Sequence, residues 1–387
     1  MAKPGSKQRL AVIAGAGIAG LSAAIALRRE GWEVWIFEKA AKILPMGAAL
    51  TLWPNAVSAM DALGLGDALR ATAQPLDHVR VSSQCGKDIG RFQVAVIASG
   101  ATAYLPTRAE LQQLLLEGLT GCQLNLGMEF LHVTEEAGGV ILHFKDGSST
   151  FANMFIAADG IWSATSRDVS GNAPTHAGYG GVLALSDPAP GFPAKAIGAE
   201  FWGRRERFGV FDLKDSRKYW FYMKNENCST EAGEITREFV EGRMHDWPAE
   251  VRAAIAATPS ERLIPFSIHA KPLPKRLSRG RVILVGDAAH AMEPNMGQGA
   301  CQALEDAVTL GAAARRAADA MQIAELYERA RLRRVRTIVA MSRQGSLMVH
   351  RLPGFLAGPA SMAMRLTFDT LALRRLRSMF ELPPLDG

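Results

Sequence analysis

The chain has 387 residues, of which 48% are hydrophobic and 21% are charged. These values are typical of a globular protein that buries a substantial core in one large or two medium domains. No run of about eighteen apolar residues occurs, which excludes an integral membrane segment, and the polar, basic opening MAKPGSKQRL does not resemble a signal peptide. Four widely spaced cysteines without a CxxC pair argue against a disulfide framework or a zinc knuckle. The sequence therefore predicts a cytoplasmic protein.

The formal charge of +6 is concentrated late in the chain, where eleven arginines and one acid, Asp369, lie between Arg329 and Arg377. A basic stripe can bind nucleic acid or an anionic membrane. The stripe contains no lysine, and we interpret it as a solvated helical face rather than a nucleic-acid site. The apolar stretch LPGFLAGPASMAM lies among these arginines. It leaves open a peripheral membrane contact, a lipophilic substrate, or a helix that caps a substrate domain.

The first predicted elements form one β-α-β unit. Residues 9–14, RLAVIA, predict a buried parallel strand that leads into GAGIAG, which begins at Gly15. An alanine-rich helix and a second apolar strand follow, and that strand ends at Glu38. In dinucleotide folds the first glycine allows the tight turn, Gly17 admits a pyrophosphate, Gly20 lets the helix pack, and the acid binds ribose. We interpret this unit as a dinucleotide site.

The middle of the chain is less regular. Residues 102–119 predict a loop followed by an amphipathic helix. Residues 140–147 and 151–158 predict a hairpin that turns at Asp146-Gly147 and returns as a strand.

From about 176 to 270 the pattern changes to short alternating runs such as KYWFYMK, with aromatic residues clustered between Phe201 and Tyr222. These runs predict antiparallel strands of a second domain, which part of 75–98 is expected to join. RVILVGD then predicts another buried strand, and the chain after 297 is predicted to be helical.

Three separated segments call for one explanation: GAGIAG, AADGIWSATSR at 157–167, and GDAAHAMEPNMGQGA at 286–300. The last two share a plan, in which a buried strand ends in an acid beside small residues. Because open α/β sheets bind ligands at the carboxyl ends of their strands, one extended dinucleotide can contact all three segments.

With these motifs in this order, the chain resembles the group A FAD-dependent monooxygenases of the para-hydroxybenzoate hydroxylase type over essentially its whole length. The stretches at 47–69 and 106–112 are most similar to FAD-dependent urate hydroxylases and zeaxanthin epoxidases. The resemblance implies tightly held FAD, NADPH or NADH as electron donor, O2 as co-substrate, and a flavin C4a-hydroperoxide as oxidant.

The implied fold is α/β, with a Rossmann-like FAD-binding domain around a parallel sheet, a smaller antiparallel-sheet substrate domain, and C-terminal helices. We expect a discontinuous FAD-binding domain at 1–75, 99–175 and 277–345, a substrate domain at 76–98 and 176–276, and a C-terminal helical segment at 346–387.

The resemblance also assigns cofactor contacts to residues of each motif. They are Gly15, Gly17, Ile18, Ala19, Gly20, Glu38, Lys39, Gly47, Ala48, Arg108, Asp159, Gly160, Asp287, Pro294, Gly297, Gln298, Gly299 and Ala300. Arg108 is expected near the FAD phosphates and ribityl chain, where a guanidinium suits a polyanion, and Asp287 is expected to accept a hydrogen bond from a ribityl hydroxyl. A helix starting at Gly297 is expected to stabilise negative charge on reduced flavin, with Gly47 and Ala48 close to the ring.

One motif departs from the family pattern. Asp-Gly-x-x-Ser-x-x-Arg is expected from Asp159 onward, and Ser163 is in place, but the last position holds Ser166 and the arginine follows as Arg167. The contact that this arginine makes on the nicotinamide side is therefore left open.

The substrate is expected to be a small aromatic or heteroaromatic compound, with Arg207 as an anchor for an anionic group. The aromatic residues of 201–222 suit the walls of a substrate pocket, with core packing expected for most of them. At the residue after Pro294, urate hydroxylases carry an acid, whereas this chain has Asn295 in an epoxidase-like MEPNMGQG, so urate is not the leading candidate. The alternatives are epoxidation or hydroxylation of a lipophilic natural product or quinone, and a non-catalytic FAD-binding protein.

His290 and Glu293 form an H-x-x-E pair, but a third ligand is missing and the pair is predicted to lie in a loop, so no metal site is predicted. The chain also lacks a GxSxG hydrolase elbow and a P-loop lysine. We expect a monomer or a homodimer.

Overall fold

The structure is a computed structural model that describes residues 9–44, 47–188, 197–225, 235–347, 350 and 373–383. The strands are β1 (Leu10–Ala14), β2 (Glu33–Glu38), β3 (Gln74–Leu76), β4 (His78–Ser83), β5 (Asp88–Gln93), β6 (Ala103–Leu105), β7 (Gln123–Leu126), β8 (Phe130–Glu136), β9 (Gly139–Phe144), β10 (Ser149–Ala152), β11 (Met154–Ala157), β12 (Thr175–Leu185), β13 (Ile197–Trp202), β14 (Glu206–Asp212), β15 (Lys218–Asn225), β16 (Ile264–Ala270), β17 (Ser278–Arg279) and β18 (Val282–Leu284).

The α-helices are α1 (Ile18–Arg29), α2 (Pro54–Ala62), α3 (Gly66–Thr72), α4 (Val94–Ile97), α5 (Arg108–Glu117), α6 (Ala164–Ser170), α7 (Arg237–Arg243), α8 (Ala249–Ala256), α9 (Asp287–His290), α10 (Gly299–Arg316), α11 (Ala320–Ser346) and α12 (Leu373–Phe380). Two 3₁₀ turns lie at Ser260–Arg262 and Pro294–Met296. Within the described ranges, no helix is long and apolar enough to span a membrane.

A six-stranded sheet in the order β17-β18-β11-β1-β2-β7 forms the first layer, and its strands are parallel except for the edge strand β17. All residues of β11 and β18 are buried, as expected for strands covered on both faces. Helices α1 and α10 pack against each other beside this sheet, where a Cβ atom at Gly311 would lie 3.2 Å from the Ala26 Cβ. The predicted β-α-β unit and α/β class are confirmed.

A seven-stranded sheet in the order β16-β12-β15-β14-β13-β4-β5 forms the second layer. It is antiparallel except for one parallel pair, β4 with β13. Strands from 76–98 therefore join strands from 176–276 in one sheet, although the domain boundaries themselves stay a prediction. A separate core of aromatic and aliphatic side chains lies between this sheet and helices α7 and α8.

The predicted hairpin is present, since β9 and β10 pair antiparallel. The prediction of a single return strand at 151–158 is wrong, because this run forms β10 and β11 in two different sheets. Asn153 separates them: its amide donates to the Leu10 carbonyl (2.9 Å), and its side chain accepts from the Leu10 amide (2.9 Å). These two bonds direct the chain onto β1.

The loop and helix predicted at 102–119 contain β6 and α5, and Thr107 with Glu110 forms a capping box at the start of α5. Helices α10 and α11 confirm the helical prediction after 297 as far as Leu347. The stretch LPGFLAGPASMAM at 352–364, most of the predicted C-terminal segment, and residues 1–8 lie outside the described residues.

Candidate active site

The glycine turn lies between β1 and α1, at the carboxyl end of the parallel sheet. Gly15 has a left-handed backbone (φ +104°), and a Cβ atom there would lie 2.4 Å from the Ala158 carbonyl oxygen. A Cβ atom at Gly20 would lie 1.9 Å from the Gly15 carbonyl oxygen, whereas one at Gly17 would meet nothing within 4 Å. Packing therefore requires Gly15 and Gly20, while Gly17 leaves open space in front of the turn.

Glu38 ends β2 beside this turn. Its Oε2 accepts a hydrogen bond from the Ala16 amide (2.8 Å), and its Oε1 accepts one from the Ala40 amide (3.0 Å). These bonds fix the Glu38 carboxylate next to the glycine turn, where the ribose contact is predicted. The next residue, Lys39, is exposed.

Gly47 and Ala48 run along the start of α5. The Arg108 amide donates to the Ala48 carbonyl (2.8 Å), and a Cβ atom at Gly47 would lie 2.8 Å from the Arg108 Cδ. The small residues therefore make room for Arg108, which is the first residue of the helix and also lines the central cavity.

Asp159 follows β11 at the carboxyl end of the sheet. Its Oδ1 is buried and has no hydrogen-bond partner within the part of the chain that the structure describes. Burial raises the pKa of Asp159, and a hydrogen bond from Ser163 only partly offsets this effect. A buried, unpaired carboxylate oxygen is costly unless a ligand supplies a donor.

The departure from the Asp-Gly motif has a structural counterpart. Ser163 caps α6 by accepting a hydrogen bond from the Ser166 amide (3.1 Å), and Ser166 is fully buried. The Ser166 Oγ accepts a hydrogen bond from the Lys271 Nζ (2.9 Å), while Arg167 is exposed. Sequence reasoning did not identify Lys271.

Asp287 opens the one-turn helix α9 after β18 and lines the cavity. Gly286 before it has a left-handed backbone (φ +57°), and a Cβ atom there would lie 2.5 Å from the Ala19 Cβ. His290 ends α9, so the loop predicted for it is a helical turn, and its Nε2 lies 2.7 Å from Asp306 Oδ2. The histidine is therefore held in a buried pair with a carboxylate.

Glu293 also has a partner, because its carboxylate accepts a hydrogen bond from the Tyr179 hydroxyl (2.9 Å). Asn295 donates to the same hydroxyl oxygen (2.8 Å), and its Oδ1 is buried without a partner among the described residues. Burial and the nearby Glu293 raise the pKa of Tyr179. Across the described ranges, no group of three or more histidine, cysteine, aspartate or glutamate side chains could hold a metal ion.

The last motif ends in a 3₁₀ turn at Pro294–Met296, and α10 begins at Gly299 rather than at the predicted Gly297. Gly297 is left-handed (φ +61°), and a Cβ atom there would lie 3.0 Å from the Trp53 Nε1. That indole nitrogen donates to the Met296 carbonyl (3.0 Å) and fixes the turn. Gly299 has open space in front of it.

Gln298 begins a buried polar network behind the start of α10. Its Oε1 accepts hydrogen bonds from Asn55 (3.0 Å) and Gln302 (3.0 Å), so its side chain faces this network and not the cavity. Asn55 and Gln302 also donate to Glu305, at 2.6 and 2.9 Å.

Two of the late-chain arginines complete this network. Arg331 pairs with Glu305 (2.5 Å) and Asp306 (2.8 Å), and Arg334 pairs with Glu305 (3.0 Å). Burial raises the pKa of Asp306, but His290 and Arg331 outweigh it and lower the pKa to about 2. The interpretation of this stripe as a solvated face is wrong for Arg331 and Arg334, because carboxylates on α10 face them.

The motif segments meet around a cavity of about 560 Å³. The predicted residues that line it are Gly17, Ile18, Ala19, Arg108, Gly160, Arg207, Asp287, Pro294, Gly297, Gly299 and Ala300. The predicted residues that do not line it are Gly15, Gly20, Glu38, Lys39, Gly47, Ala48, Asp159 and Gln298.

One wall of the cavity is the seven-stranded sheet. Along β15, Tyr219, Phe221 and Met223 line the cavity, whereas Trp220 and Tyr222 face the core beneath α7 and α8. The expectation of aromatic walls therefore holds for alternate residues, since successive side chains of a strand point to opposite faces.

Arg207 lies on this wall and is 3% exposed. Its guanidinium stands 5.1 Å from the Phe221 ring centre, and its Nη1 lies 3.4 Å from Glu200 Oε2. Its Nε has no hydrogen-bond partner among the residues described. The cavity therefore contains a buried cation that one carboxylate neutralises.

Another part of the lining comes from α12, which sequence reasoning did not connect with the site. Leu376 and Met379 line the cavity, and Phe380 stacks on Trp53 at 4.7 Å between ring centres. Arg334 holds the helix end by donating to the carbonyls of Ser378 (2.5 Å), Met379 (2.8 Å) and Glu381 (3.0 Å). The only sequence signal for a buried helix face here was the spacing of the apolar residues Leu376, Met379 and Phe380 among arginines.

The residues of this site fit FAD. Gly17, Gly160 and Gly299 have open space where a Cβ would stand, and the buried Asp159 Oδ1 lacks a donor among the described residues. The amino ends of α1 and α10 offer backbone N–H groups to negative charge at two places along the cavity.

Comparisons with known proteins agree with this fit. A family model for the FAD binding domain matches residues 9–342. The FAD-dependent urate hydroxylase of Klebsiella pneumoniae subsp. pneumoniae is 34% identical over 355 residues, which cover 88% of this chain and 90% of that protein. The 3-amino-4-hydroxybenzoate 2-monooxygenase of Streptomyces cremeus is 32% identical, with 93% and 92% covered.

Among solved structures, that of Klebsiella pneumoniae HpxO complexed with FAD and uric acid matches with a TM-score of 0.86 and 29% identity, and 96% of this chain and 97% of that chain are covered. The motifs, the two sheets and these matches lead to one assignment. This chain belongs to the FAD binding domain family and is a group A FAD-dependent monooxygenase.

Proposed function

We propose that this protein uses NADPH or NADH and O2 to hydroxylate a small aromatic or heteroaromatic compound. The observation that carries the proposal is a single cavity that joins the cofactor segments to an aromatic wall around the buried Arg207. In the balanced reaction, one oxygen atom enters the substrate, the other leaves as water, and the nicotinamide cofactor is oxidised.

When bound, FAD would supply the redox chemistry that passes electrons from the nicotinamide cofactor to O2. The chain's own residues bind and orient it. The glycine turn and the amino end of α1 would hold the pyrophosphate, and Asp287 would accept a hydrogen bond from the ribityl chain. The amino end of α10, an 18-residue helix, would stabilise negative charge on the reduced ring.

Two side chains of the cavity would orient a polar substrate. Arg207 would bind an anionic or enolate oxygen in a buried setting where charge-assisted hydrogen bonds are strong. The Asn295 Oδ1 has no hydrogen-bond donor among the described residues, and it would accept a hydrogen bond from the substrate. Because Asn295 is neutral, it cannot act as the carboxylate expected for urate, so we propose a different heteroaromatic or phenolic substrate.

A second candidate follows from the apolar part of the same cavity. Val79, Val81 and Phe92 line it together with Leu376 and Met379. These side chains favour an aromatic compound with a hydrocarbon substituent, such as a quinone or a lipophilic natural product, over a compact polar ring.

The test is a ligand screen with the purified flavoprotein. NADPH and NADH oxidation would be followed in the presence of panels of polar and alkyl-substituted aromatic compounds. Hydrogen peroxide would be assayed in parallel, and product masses would be determined by mass spectrometry. A substrate accelerates oxidation, suppresses peroxide and gains one oxygen atom. A yellow protein that neither nucleotide reduces, with any ligand, would instead identify a non-catalytic FAD-binding protein.

A further inference from the structure

Lys271 lies where three segments of the site meet. It follows β16 directly, is 5% exposed, and its amide donates to the Ala291 carbonyl (2.9 Å). Its Nζ donates to the Ser166 Oγ (2.9 Å) and to the Ala288 carbonyl (2.9 Å). One buried ammonium therefore connects the end of β16 with α6, which follows Asp159-Gly160, and with α9, which begins at Asp287.

The surroundings of Lys271 are negatively charged. Burial lowers the pKa of Lys271 to about 8, and the carboxylates that act against this shift are Asp159 and Asp287. The Oδ1 of Asp159 is buried and lacks a hydrogen-bond partner among the described residues. Without the ammonium, these carboxylates would face an anionic dinucleotide with less compensating charge.

We propose that Lys271 is a positioning residue for FAD. Its ammonium joins the Asp159 and Asp287 segments and supplies the buried positive charge that the Ser166 hydroxyl cannot. Ser166 occupies the position at which the family motif carries an arginine, and its hydroxyl points at the lysine. Lys271 thus brings a cation to the Ser166 hydroxyl from the end of β16, in the other sheet. This proposal concerns cofactor binding alone, so its test needs no substrate.

The first experiment measures FAD affinity of the apoprotein by flavin fluorescence. Lys271→Met is expected to weaken binding at least tenfold, whereas Lys275→Met, at an exposed position of the same segment, should leave it unchanged. Adding Ser166→Arg to Lys271→Met should recover most of the affinity, because an arginine at 166 reaches the vacated place. Circular dichroism of each variant checks that the fold is retained.

The second experiment uses the unsubstituted protein and does not depend on the folding of Lys271→Met. Binding an anion favours the charged ammonium, so FAD affinity should be highest below about pH 8 and fall above it, by up to about tenfold per pH unit. Lys271→Arg, which keeps its charge, should abolish this dependence.

Two results would overturn the proposal. One is an unchanged FAD affinity in folded Lys271→Met. The other is a loss of affinity in Lys271→Met that adding Ser166→Arg does not repair and that Lys271→Arg, which keeps the charge, shows equally; this would assign Lys271 a packing role only.

Discussion

Replacing Arg331 with methionine tests the buried network behind the cofactor site. Arg331 is 1% exposed and donates to Glu305 (2.5 Å), Asp306 (2.8 Å) and the Gln302 side chain (2.8 Å). Methionine is apolar and fills much of the same space, so loss of charge outweighs loss of packing. Removing one partner of a buried ion pair costs about 3–5 kcal/mol, because the remaining carboxylates stay buried.

The structure places the expected cost near the lower end of that range. Glu305 keeps its bonds from Arg334 and Asn55, and Asp306 keeps its bonds from His290 and the Gly286 amide. We therefore expect Arg331→Met to lower the free energy of unfolding by about 3 kcal/mol.

Urea unfolding, followed by both tryptophan fluorescence and circular dichroism at a fixed FAD concentration, measures this value. Arg333→Met is the matched control, since Arg333 is exposed on the same helix and its loss should cost no more than about 0.5 kcal/mol. Adding Glu305→Gln and Asp306→Asn to Arg331→Met should restore part of the stability. A loss below about 1 kcal/mol in Arg331→Met would refute the view that the network depends on this cation.

Three further substitutions test the site. Asp287→Ala should purify with little flavin, as read from the ratio of flavin to protein absorbance; a fully yellow variant with unchanged activity would contradict the placement of the ribityl chain. Arg207→Met should weaken binding of an anionic aromatic ligand by about 2 kcal/mol or more, roughly 30-fold, without changing FAD content. Met379→Trp should lower kcat/KM for alkyl-substituted aromatics about tenfold relative to small rings, as expected for overfilling a cavity. Equal losses for large and small substrates would show that α12 does not set size selection.

Local patterns predicted much of the cofactor half. The strand, glycine turn and helix around Gly15 follow each other directly along the chain, so their spacing alone predicts the β-α-β unit. The same holds for Asp159 and Asp287, each of which lies within three residues of the end of a buried strand. The split at Asn153 was missed because the residues next to it, 151–152 and 154–158, are apolar on both sides. The two parts differ in their partners, since β10 pairs with β9 and β11 pairs with β1 and β18.

Contacts between distant residues were not predictable in this way. Lys271 and Ser166 are 105 residues apart, and no periodicity relates them. Arg331 lies in a basic stripe that looks solvated until the carboxylates of α10 are placed opposite it. Leu376 and Met379 reach the cavity on a helix that two distant residues hold, Arg334 at its end and Trp53 against Phe380.

The two walls of the cavity differ in how freely they can diverge among relatives. On the sheet wall, Tyr219, Phe221 and Met223 alternate with residues of a second core, so a shift of the strand that reshapes one face also disturbs the other. Helix α12 is anchored through its backbone carbonyls, and Leu376 on it is only partly buried, whereas Met379 is 1% exposed and belongs to the main core. Substitutions at Leu376 can therefore change the preferred substrate at less cost to folding than substitutions on the sheet wall, which makes this position the natural starting point for directed evolution of specificity.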